Sequence, residues 1–161
     1  MSKKKSHVPL YILHESLLFV WGTMSQAIRN RVAIWKVPEP AAFTLVHLYA
    51  HPEDAEPARL AECVIIPRQT MTFILDALEK RGLASRKPHS TDRRRKTIVL
   101  SAKGKKLAEA IIKDLLEFEA AALSTFSARE LDSLKTLTRK FADALRNTET
   151  TMQNAETGTQ K

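Results

Sequence analysis

The chain has a single cysteine, Cys63, in 161 residues, and only four glycines, none of them in a glycine-rich loop. One cysteine excludes an intramolecular disulfide framework and fits a reducing compartment. Without a phosphate-cradling glycine run, an HExxH pair or a nucleophile motif at a known spacing, the sequence offers an enzyme little. The expectation is therefore a non-enzyme that needs no cofactor. Scarce glycine also argues against a strand-rich fold. No apolar run reaches the roughly 18 to 20 residues that a membrane span needs, and His14 and Glu15 interrupt the segment after the basic start. A cytoplasmic protein with no membrane partner is expected.

What the chain does have is positive charge in one place. Residues 67–106 hold twelve Lys or Arg against three Asp or Glu, a net of +9. The whole chain is +8, so the remainder sums to −1. Regional charge of this kind points to a polyanionic partner rather than to general basicity. A membrane-surface helix would pair such a face with a large apolar face on the same element, and none stands out.

Apolar residues recur at three and four positions over 9–36, including Leu10, Leu13, Leu17, Val20, Trp21, Met24, Ile28, Val32 and Trp35, which predicts a long helix ended by Pro38 and Pro40. Helices follow over 41–50, 57–63 and 67–81, the last with an apolar stripe of Met71, Ile74, Leu75 and Leu78 and a stop at Gly82. Strands are expected over 83–87 and 96–100, joined by the loop His89-Ser90-Thr91-Asp92-Arg93-Arg94-Arg95. Ser101 caps a helix to about residue 126, and Ser127-Ala128-Arg129-Glu130 is a capping box opening the last one. The fold class is mainly α, a winged helix-turn-helix with a two-stranded wing, flanked by terminal helices forming a dimerisation domain. The expected layout is a flexible start at 1–8, dimerisation helices at 9–40 and 102–147, a DNA-binding winged region at 41–101, and a disordered tail at 148–161, where Thr, Gln and Asn leave little to bury.

A helix reads DNA when short polar and basic side chains near its N-terminus reach base edges while backbone N–H groups meet phosphate. Arg68, Gln69, Thr70 and Thr72 fit, with Lys80 farther along the same face. Phe73 either packs on a thymine methyl or is buried by a slight rotation of the helix. Arg93, Arg94 and Arg95 supply the charge a wing needs beside the phosphate backbone, with Asp92 expected to pair with one of them.

Leu60-Ala61-Glu62, the ungapped run to Leu78-Glu79-Lys80-Arg81-Gly82-Leu83, Asp92-Arg93-Arg94 and Leu100-Ser101-Ala102-Lys103-Gly104 together resemble the signature of MarR-type transcription regulators. The resemblance implies a homodimer with interlocking first, fifth and sixth helices, sequence-specific binding of double-stranded DNA at a pseudo-palindromic operator, and repression relieved by a small ligand. The alternatives are a winged-helix protein-interaction module and an activator or counter-silencer without ligand control. Three positions depart from the pattern: Ile65 where glycine is common, Pro67 for a Ser or Thr cap, and Phe73 where arginine is frequent.

The effector region that the resemblance implies draws on His14, Trp21, Arg29, Trp35, His47 and Tyr49, a set suited to a small aromatic carboxylate. Trp21 and Trp35 also fit plain core positions on an amphipathic helix. Cys63 reads as a small buried hydrophobe, because peroxide-sensing members of the family carry their cysteine in the first helix. His47 and His51 stand four apart, but neither has a carboxylate or cysteine at a helical offset, so no metal site is expected.

Overall fold

The computed structural model describes residues 16–88 and 95–158. The chain orders as α1 (Leu17–Ala33), α2 (Glu39–Ala50), a 3-10 turn (Pro52–Asp54), α3 (Pro57–Cys63), α4 (Arg68–Lys80), β1 (Ala84–Pro88), β2 (Lys96–Leu100), α5 (Ala102–Leu123) and α6 (Ala128–Gly158). It divides within α5 into two compact units, residues 1–116 and 117–161.

Ser16 caps α1, its hydroxyl accepting from the Leu18 N–H at 3.2 Å. The part of the expected first helix before Ser16 lies outside the described residues. Helix α1 stops at Ala33, short of the expected end near residue 36, and Pro38 alone of the two prolines lies between the helices. Helix α2 begins two residues early, at Glu39, because Pro40 is tolerated in a first helical turn.

The core of the first unit joins α2, α3, α4 and the wing through Leu45, Leu60, Met71, Leu75, Leu78, Leu83 and Ile98, all nearly inaccessible. A second cluster of Val32, Val37, Ala42 and Ile111 sits under the C-terminal half of α1, and Leu107 of α5 packs against both. The wing strands pair antiparallel from Ala84 with Leu100 to Pro88 with Lys96. The Ile98 N–H also donates to the Ala55 carbonyl at 2.8 Å, binding the wing to the loop before α3.

Two helix ends share one closure. After α4 the Leu83 N–H reaches the Leu78 carbonyl at 2.9 Å and the Gly82 N–H reaches Glu79 at 2.8 Å, with Gly82 at φ 67°. After α3 the Ile66 N–H reaches Ala61 at 2.9 Å and the Ile65 N–H reaches Glu62 at 3.2 Å, with Ile65 at φ 58°. Both are Schellman turns, which need a left-handed residue, and only the first supplies glycine. The helix-turn-helix therefore accepts strain at a β-branched residue that is 89% exposed. Committing Leu83 to this closure also moves β1 one residue later than the sequence predicts.

In the second unit the capping box forms as expected, Glu130 accepting from the Ser127 N–H at 2.8 Å and the Ser127 hydroxyl accepting from the Glu130 N–H at 3.4 Å. The Ser127 N–H holds the Glu130 carboxyl below its usual range. The helix before it stops at Leu123 rather than near residue 126. There Ser124 and Thr125 turn their hydroxyls onto the Ala121 and Ala122 carbonyls at 2.7 and 2.9 Å, competing with the helical ladder. At the other end α6 continues to Gly158, where a disordered tail from Thr148 is expected. Thr, Asn and Gln are mild helix formers rather than breakers, and no proline or glycine intervenes before Gly158. Thr148, Thr150 and Thr151 return their hydroxyls to carbonyls four residues back at 2.8 to 3.0 Å. Among the described residues no helix is long and apolar enough to cross a membrane.

Candidate nucleic-acid interface

Met71, Leu75 and Leu78 bury one side of α4, which turns Gln69, Thr70, Thr72, Phe73, Asp76 and Lys80 outward. Phe73 is 66% exposed, so the helix does not rotate to bury it. Pro67 occupies the N-cap and gives no side-chain hydrogen bond. The first N–H groups of α4 thus point out of the helix end uncapped by a side chain, the arrangement that receives a phosphate oxygen. Arg68 lies beside them, 3.1 Å from Glu62 of α3. That exposed pair is weak and open to exchange for a phosphate.

The wing is held to this helix by a residue the sequence reading did not single out. Arg86 of β1 pairs with Asp76 at 2.7 Å and with Glu79, and reaches the Thr72 carbonyl at 3.5 Å. It thereby neutralises both acids on α4. Arg86 stands ten and seven residues after Asp76 and Glu79, separations that no helical or strand periodicity marks. Arg95 immediately precedes the second strand, with its guanidinium on both oxygens of Glu56, just before α3. Arg93, Arg94 and Asp92 lie outside the described residues.

Of the residues grouped for an effector, the described ones lie on α1, just after it and on α2. Trp21 is 60% exposed on α1. Arg29 is engaged by Gln26 at 3.0 Å, His47 faces Asp54 at 3.2 Å, and the Tyr49 hydroxyl donates to Glu109 at 2.6 Å. That bond raises the Tyr49 pKa. Trp35 is half-buried and donates its indole N–H to Asp114 at 3.1 Å. His14 lies outside the described residues. Asp114, overlooked in the sequence although it stands three residues after the buried Ile111, also takes a two-pronged grip from Arg31, with Nε at 2.9 Å. The Arg31 bond holds its carboxyl below the usual range, against the opposing effect of desolvation. This cluster ties α1 to α5.

Cys63 is half-buried rather than enclosed, its sulfur 3.6 Å from Asp54 Oδ2. Desolvation pushes the thiol pKa up, and Arg59 works against that shift. Asp54 is drawn low, first by the hydrogen bond from Arg59 at 3.1 Å and then, against desolvation, by those from His47 and Cys63.

A short helix, a tight turn, a second helix with an outward polar face and a two-stranded wing, in that order, define a winged helix-turn-helix of the transcription-regulator class. Residues 36–95 match the model of the MarR family. Among similar solved structures is MepR, a transcription regulator of the Staphylococcus aureus multidrug efflux pump MepA, 25% identical, covering 86% of this chain and 99% of its own with a TM-score of 0.65. The S. aureus MepR–DNA complex matches at 25% identity over 80% of this chain and 98% of that one, with a TM-score of 0.73. S. aureus MepR bound to ethidium bromide matches at 25% identity, 88% and 99% coverage, and a TM-score of 0.55.

Proposed function

We propose that this chain is a cytoplasmic, sequence-specific DNA-binding regulator that works as a homodimer on a pseudo-palindromic operator. The observation that carries the reading is the N-terminus of α4, with no side-chain cap, an outward polar face beside it, and a wing root lined with arginine. That MepR has been captured on DNA in the same fold supports it. In this reading α4 enters the major groove. Arg68 and the first N–H groups meet phosphate, Gln69, Thr70 and Thr72 face base edges, Phe73 contacts a thymine methyl, and Lys80 lies near the backbone. Arg93, Arg94 and Arg95 follow the flanking phosphates, Arg95 exchanging Glu56 for the DNA.

Residues 41–101 supply the reading head, and 9–40 with 102–147 the dimer contacts. Leu17, Leu18, Val20, Trp21 and Met24 leave an apolar face on α1 that a second subunit would cover. Repression released by a small aromatic ligand is the proposed mode of control, and the ethidium-bound relative supports a ligand of that shape. Gel shift with the DNA flanking the gene that encodes the chain tests the reading. With about six to ten phosphates neutralised per dimer, affinity falls by roughly three to five decades between about 50 and 200 mM salt. A flat salt response, or no shift on any duplex at low salt, rejects it.

A further inference from the structure

The fold gathers three metal-ligating side chains that are scattered in sequence. His47 lies in the last turn of α2, Asp54 ends the 3-10 turn, and Cys63 ends α3. His47 Nε2 is 3.2 Å from Asp54 Oδ2, Cys63 Sγ is 3.6 Å from the same oxygen, and the three donor atoms all lie within 4.8 Å of one another. The sequence expectation of no metal site considered only partners at helical offsets from His47. Asp54 and Cys63 reach it across a turn and a neighbouring helix instead.

We propose that His47, Asp54 and Cys63 bind one zinc-type divalent ion, with water completing the coordination. A tetrahedral zinc with ligand distances of about 2.0 to 2.3 Å sets its nitrogen and oxygen ligands about 3.3 to 3.5 Å apart, and its sulfur and oxygen ligands about 3.5 to 3.7 Å apart. The two contacts to Asp54 match those edges to within about 0.1 Å. One imidazole, one thiolate and one carboxylate suit a borderline-soft ion and exclude calcium or magnesium, which demand mostly oxygen.

The surroundings also fit. Arg59 Nε holds Asp54 Oδ1 at 3.1 Å, which leaves Oδ2 turned toward His47 and Cys63. An outer partner of this kind fixes a ligating carboxylate in place. A divalent ion with one thiolate and one carboxylate is neutral, so the Arg59 guanidinium faces no net positive centre. The His47 and Asp54 side chains keep about a fifth of their surface exposed, enough for entry from solvent. His51 stacks near His47, with ring centroids 5.0 Å apart, but its Nδ1 faces Glu53 at 3.3 Å, and it stays outside the site. The ion would join the end of α2 to the end of α3, immediately before the turn at Ile65.

The test is a Co2+ titration of the reduced, chelator-treated full chain, followed by displacement with Zn2+. Cys63 is the sole thiol, so a thiolate-to-cobalt charge-transfer band in the near ultraviolet can arise from no other residue. The expected result is a band saturating at one Co2+ per chain, bleached by one Zn2+, with a melting temperature that rises as Zn2+ is added. Cys63→Ser should abolish the band, and His47→Ala and Asp54→Asn should each weaken metal affinity at least tenfold. His51→Ala should leave it within twofold. Circular dichroism and metal-free melting establish that each variant is folded. No band in the parent chain overturns the proposal without any variant, and so does a band whose affinity survives both His47→Ala and Asp54→Asn in folded protein.

Discussion

The two halves of α1 are built from the same kinds of residue and meet different surroundings. Ile28, Val32 and, just beyond the helix, Trp35 pack onto Val37, Ala42 and Ile111 of their own chain. Leu17, Leu18, Val20, Trp21 and Met24 repeat the pattern upstream and are 48 to 65% exposed. Helical periodicity therefore specifies which face is apolar without specifying what packs against it. The packed half has a marker the exposed half lacks. Arg31 and Trp35 converge on the one buried acid among the described residues, Asp114, and fix the register of α1 against α5.

If the packed half is an ordinary core, Ile111→Ala should cost about 2 to 5 kcal/mol in urea unfolding, at any protein concentration. A loss under about 1 kcal/mol would show that this half is loosely held. The exposed half should behave oppositely. Trp21→Glu should weaken dimerisation by about 2 kcal/mol or more, roughly thirtyfold, as sedimentation would record, while leaving the folded monomer intact. A parent chain that sediments as a monomer at micromolar concentration would erase the distinction.

Asp114→Ala should cost about 1 to 3 kcal/mol, toward the low end because Arg31 keeps 39% of its side chain exposed. The same carboxylate gives a pH signature. Its folded pKa lies below the usual 3.8, so its contribution is complete above that value and is lost as pH falls through the lower folded one. Asp114→Ala should therefore flatten the acid limb of stability against pH. An unchanged limb would remove the acid from the account. The smallest effect calibrates the others from outside α1: Ile65→Gly should raise stability by about 1 kcal/mol, and Gly82→Ala at the matching turn should lower it by a similar amount. Equal and small responses at both turns would mean that Ile65 carries no strain.

Most elements from Pro57 onward were legible in the sequence because their ends are marked locally by Pro57, Gly82, Ser101 and the box at Ser127. The outward polar face of α4 was legible too, since its apolar stripe is narrow. What escaped was everything made by distant partners. Arg86 on Asp76 and Glu79, Arg95 on Glu56, and Arg31 on Asp114 join residues whose meeting no periodicity announces. The helical stretch after Thr148 escaped for another reason, since composition reports the lack of a core to bury and does not report the lack of a helix breaker.

Gly104 stands where a methyl group would lie 1.9 Å from the Leu83 carbonyl oxygen. Around it the Ser101 hydroxyl donates to the Gly82 carbonyl at 2.7 Å and accepts from the Gly104 N–H at 3.0 Å, and Lys103 donates to the Arg81 carbonyl at 3.1 Å. Arg81 in turn donates to the Lys36 carbonyl between α1 and α2 at 2.9 Å. The tail of α4, the root of the wing and the head of α5 thus meet in a joint with almost no play. A small tilt at the head of α5 is then transmitted to α4 as a change in the direction of its exposed face, Gln69, Thr70 and Thr72 included.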